Sequence, residues 1–170
     1  MKNKKIIIIV SVLVIVFLGN FIWRKVDRRT SLANDFTHNI YATAGTSFWC
    51  IDDREDDNIK INAHIKESID SLQREMYYGS LYVNGDITYY IDYDMMILNK
   101  IEFEEDQLWT TVYKGDEDYD DIMILKESLG HISENLEEFY GNPNNINRSF
   151  KRVFKVIEES HKILLKAGMY

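Results

Sequence analysis

From Ile6 to Trp23 the chain reads IIIIVSVLVIVFLGNFIW, eighteen residues without a charge, set between Lys2, Lys4 and Lys5 on one side and Arg24, Lys25, Arg28 and Arg29 on the other. As a helix this run extends about 27 Å at 1.5 Å per residue, close to the hydrocarbon thickness of a bilayer, and Trp23 stands where an interfacial aromatic belongs. The pattern predicts a transmembrane helix. It is longer than the apolar core of a signal peptide and ends in Phe-Ile-Trp-Arg-Lys, with no small-x-small cleavage site, so the expectation is an uncleaved anchor. Basic residues nearly balance across it, but a short basic tail leading straight into the apolar run is how an N-in signal anchor begins. The predicted layout is a cytoplasmic tail at 1–5, an anchor at 6–23, a juxtamembrane linker at 24–46 and a periplasmic domain at 47–170. The predicted location is the bacterial inner membrane, single-pass.

Beyond the anchor the rhythm changes to period two. Leu81, Val83, Ile87, Tyr89 and Ile91 share one face of a run interrupted by Asn84-Gly85-Asp86, a strong hairpin or bulge signal. Ile97, Ile101 and Phe103 continue as a second strand, and Leu108 to Lys114 (LWTTVYK) is a third, rich in β-branched and aromatic residues. Together they predict an antiparallel meander. Upstream, Ile59, Ile61, Ala63 and Ile65 alternate, whereas Ile65, Ile69, Leu72 and Met76 recur at helical spacing, which predicts a strand at 58–65 and a short helix at 66–77. Downstream, Ile122, Leu125, Leu129, Ile132, Leu136 and Phe139 predict a helix at about 121–140, capped by Asp120 or Asp121 and stopped by Gly141 and Pro143. The segment at 150–167 suits either an amphipathic helix or a hairpin. The expected fold class is α+β: a transmembrane helix followed by a small antiparallel β-rich, barrel-like domain carrying at least that one helix.

Composition narrows the function. The 170 residues hold 20 Lys and Arg against 28 Asp and Glu, a formal net charge of -8, which repels phosphate and excludes an electrostatic nucleic-acid binder. The acids are concentrated: residues 35–138 carry 25 acids and 7 bases, net -18, while 139–170 carry 6 bases and 2 acids, net +4. The single cysteine, Cys50, permits no intrachain disulfide and reads as a buried small residue.

Catalytic chemistry leaves no motif. His38, His64, His131 and His161 lie far apart and outside any HExxH or Cys-His spacing, and neither a nucleophile elbow nor a glycine-rich phosphate loop occurs. Asp116, Asp118, Asp120 and Glu127 take positions one, three, five and twelve of a calcium loop, but Asp121 stands where that loop needs glycine. A solvated acidic turn capping the next helix accounts for the same residues. The aromatic residues carry more information: with the aliphatic set turned inward, Tyr82 and Tyr90 face outward. With Trp109 and Tyr113 they form the candidate partner-binding surface. No catalytic residue, resident metal or cofactor is expected.

With its anchor, Phe48-Trp49-Cys50, the stretch Gly79-Ser80-Leu81-Tyr82-Val83-Asn84-Gly85-Asp86 and then Lys100-Ile101-Glu102-Phe103, the chain resembles the FidL-like inner-membrane proteins and the related ToxS-like accessory proteins. The resemblance implies a small periplasmic barrel-like domain whose partner is a membrane-spanning, ToxR-like transcription regulator, with a small apolar ligand in some members. It supplies no catalytic residue. The expected function is therefore a non-enzymatic accessory protein that binds and stabilises or modulates such a regulator. The alternative is an immunity-type inhibitor that neutralises a periplasmic toxin with its acidic surface.

Overall fold

A computed structural model describes residues 2–55, 58–80, 89–103, 107–137 and 146–166. The elements run α1 (Lys2–Trp49), β1 (Ile51–Glu55), β2 (Asn58–Asn62), α2 (Ile65–Ser80), α3 (Tyr89–Lys100), β3 (Trp109–Tyr113), α4 (Tyr119–Glu137) and α5 (Ile146–Lys166). Among the described residues the molecule is mostly helical, with one three-stranded antiparallel sheet in the order β1-β2-β3 and no closed barrel, which overturns the β-rich, barrel-like expectation.

Helix α1 is 48 residues long and passes without a break through the predicted anchor and through 24–46. Its side chains are described from Val10 onward, and every described one from there to Arg28 is exposed. Among the described residues no helix is long and apolar enough to cross a membrane, so the transmembrane, single-pass and inner-membrane expectations are withdrawn. The described side chains begin at Val10, and the eighteen residues from there onward include Arg24, Lys25 and Asp27.

The second part of α1 behaves differently. Ala33, Phe36, Thr37, Ile40, Ala44 and Ser47 are buried at three- and four-residue spacing, one stripe along the helix, and this stripe packs against α2, α4 and α5. Each partner presents a matching stripe: Ile65, Ile69, Leu72 and Met76 on α2, Ile122, Leu125, Leu129, Ile132 and Leu136 on α4, and Phe150, Val153, Ile157 and Leu164 on α5. Small residues let the axes close up. A Cβ on Gly130 would stand 3.0 Å from the Phe48 ring, and one on Gly79 would overlap the ring of Phe36, which stacks on Phe150 at 5.4 Å. Buried Ser128 and Ser160 tie α4 to α5 through hydroxyls 2.6 Å apart, and Ser47 and Ser68 tie α1 to α2 at 2.7 Å.

Among the described residues only the third strand of the predicted meander is present, as β3; Ile97 and Ile101 belong to the α3 region, together with Tyr89, Tyr90 and Ile91. Two residues four apart fit both a strand and one helical turn, and the buried set Asp94, Ile97, Leu98 and Ile101, with Asn99 exposed between, is a helical face. The partner of β3 is instead β2, with Ile59 opposite Val112 and Lys60 opposite Thr111. Leu81, Tyr82, Val83 and Ile87 lie outside the described residues, as does Phe139. The strand and helix expected at 58–65 and 66–77 correspond to β2 and α2, the helix at 121–140 corresponds to α4, and the described part of 150–167, up to Lys166, falls in the helix α5.

Candidate binding site

The sheet rests on the helices through Ile51, Ile59, Ile61 and Val112, so strand alternation turns Asp52, Lys60, Trp109, Thr111 and Tyr113 to its other face. Trp109 is 41% exposed and Tyr113 60%. At one end of the sheet the backbone of Asn62 donates to the Cys50 carbonyl and that of Ala63 donates to the Leu108 carbonyl, which brings the end of α1 and the start of β3 to one rim. Trp49, 79% exposed, stands on that rim.

Between the two indoles lies a hollow of about 410 Å³. Phe48, Trp49, Ile51 and Trp109 supply its apolar walls, and Phe48 meets Trp49 edge to face with centroids 5.5 Å apart. Its polar groups come as two ion pairs. Arg54 donates from Nε and Nη2 to both Asp52 oxygens, at 2.8 and 2.6 Å, which holds the Asp52 carboxyl well below the usual carboxylate range. Lys126 Nζ lies 2.5 Å from Asp53 Oδ1 and 5.0 Å above the Phe48 ring centroid, so one ammonium is held by a carboxylate and an aromatic face at once. A second depression, of about 530 Å³, continues past Phe48 and Lys126 to Met123, Ile124 and Glu127.

Of the residues expected to bind a partner, Trp109 and Tyr113 therefore share an exposed sheet face. Tyr90 is on α3, at a position where the backbone but not the side chain is described, and Tyr82 falls outside the described residues. Trp49 and Phe48 escaped the sequence reading as site residues because they precede any recognisable strand; the signal available was an aromatic pair at a helix end.

The acidic segment forms a turn. Asp116 Oδ2 accepts the Tyr113 backbone N–H at 2.8 Å, Gly115 supplies φ 102°, and the Asp118 carbonyl accepts the Ile122 N–H as α4 begins. Asp121 pairs with Lys100 at 2.8 Å, linking α4 to α3. Among the described residues no three His, Cys, Asp or Glu side chains converge as metal ligands, Asp116, Asp118, Asp120 and Glu127 included. His131 reaches Glu159 at 3.6 Å across the α4–α5 interface, and Lys155 with His131 lowers the Glu159 carboxyl. Burial pushes the Cys50 thiol up. On α3, Asp94 is 3% exposed and its Oδ1 meets no hydrogen-bond donor among the described residues; burial pushes this carboxyl well above the ordinary range.

Comparison with known protein families, with curated proteins and with solved structures finds no match to this chain.

Proposed function

We propose that the chain is a non-catalytic accessory protein that binds another protein and stabilises or modulates it. The observation that carries this reading is the set of exposed aromatics at the sheet: Trp49 and Trp109 at one end, with Leu108 beside them, and Tyr113 at the far end of β3 all stand exposed, and large exposed aromatics of this kind are the residues that anchor interfaces. The apolar arm of α1 adds support. Leu13, Ile15, Phe17, Phe21, Ile22 and Trp23 are all more than half exposed, an apolar surface of the kind that marks an interaction site. The resemblance to FidL-like and ToxS-like proteins nominates a ToxR-like regulator as the first partner to try.

The test is in-cell photo-crosslinking from position 113, in the full chain, followed by identification of the captured protein. The half-life of that protein is then measured with and without this chain. A single captured regulator that is degraded faster when Tyr113→Ala replaces the native chain supports the reading. An unchanged half-life overturns it. Capture of a basic toxin, with binding that weakens steeply as salt rises, would put the immunity-type alternative in its place.

A further inference from the structure

The geometry points to a small-molecule site in the hollow between Trp49 and Trp109, one that takes a flat, uncharged fused-ring aromatic. The hollow shares Trp49 and Trp109 with the proposed protein-binding face, and the inference rests on its own volume, walls and charges. Size comes first: about 410 Å³ lies within the roughly 300–1,000 Å³ of small-molecule pockets. Shape is next. Three aromatic side chains, Phe48, Trp49 and Trp109, line the hollow, and ring faces and edges favour a planar apolar guest over a branched one.

Charge decides the class. Both cations in the hollow already have a carboxylate: Arg54 is engaged twice by Asp52, and Lys126 is clamped between Asp53 and the Phe48 ring. The four charges cancel. An anionic guest would have to compete with Asp52 or Asp53 for its counter-charge, and a cationic guest with Arg54 or Lys126, while giving up hydration in either case. A neutral ring loses little on entry and gains the area of the walls.

The experiment uses the full chain labelled with fluorotryptophan, whose three tryptophans, Trp23, Trp49 and Trp109, give separate fluorine NMR signals assigned by single substitution. Naphthol is the neutral probe, with naphthoate and naphthylmethylammonium as its charged counterparts. Naphthol is expected to shift the Trp49 and Trp109 signals at a concentration about tenfold below that needed by either charged probe, the equivalent of about 1.4 kcal/mol. Trp23, 74% exposed on the α1 arm, reports non-specific adsorption and should move only at higher concentration. Trp49→Ala should abolish the early shift at Trp109 while the circular dichroism spectrum is unchanged. Movement of all three signals together, no movement, or tighter binding of a charged probe would each overturn the assignment.

Discussion

Replacing Asp94 by asparagine isolates one buried proton. In the folded chain Asp94 sits on α3 with 3% of its surface exposed, and burial raises its carboxyl above the unfolded reference of about 3.9. A raised acid stays protonated in the folded chain over a pH range where the unfolded chain has already released the proton. Its contribution to stability is therefore full below about pH 3.9, falls as pH climbs, and levels off once the folded value is passed. The fall for one proton is at most about 1.4 kcal/mol per pH unit. The asparagine side chain keeps the size but cannot ionise, so the stability of Asp94→Asn minus that of the native chain should rise with pH along that slope. Any fixed cost of burying the amide, of order 1–3 kcal/mol, shifts the difference without tilting it. Urea unfolding of both chains at intervals from about pH 4 to pH 7 measures the tilt, because the remaining carboxylates are common to both and cancel. Parallel stability curves across that range would refute the argument and show that Asp94 is ionised and compensated in the fold.

Three further outcomes follow from packing. Leu72→Ala, at a side chain with no exposed surface on α2, should cost roughly 2–5 kcal/mol in the same assay. Gly79→Ala should destabilise in spite of the about 1 kcal/mol that alanine gains in a helix, because its Cβ would overlap the Phe36 ring, which is buried against Phe150; adding Phe36→Leu should recover part of the loss. Cys50 should react with a disulfide reagent at about pH 8 far more slowly than in urea-unfolded chain, since burial disfavours its thiolate, and equal rates would contradict that placement.

Helices with a long apolar stripe were legible in the sequence, because Ile65-Ile69-Leu72-Met76 and Ile122-Leu125-Leu129-Ile132 carry their period through several turns and bury it as read. Short runs were not. Ile97 and Ile101 are consistent with a strand and with a helix turn, and what selects the helix is the core, where Asp94, Ile97, Leu98 and Ile101 meet one surface. Strand β1 has a single buried apolar residue, Ile51, and becomes a strand because β2 offers it a ladder at Ile61 and Lys60. The outward aromatics Trp109 and Tyr113 could be read from alternation alone, since side-chain direction in a strand is local. Their companion Trp49 could not: it is placed beside Trp109 by hydrogen bonds from Asn62 to Cys50 and from Ala63 to Leu108, partners 12 and 45 positions apart in the chain. Local period is a property of neighbouring residues, whereas the hollow and its neutralised charges exist only where α1, β1, β3 and α4 come together.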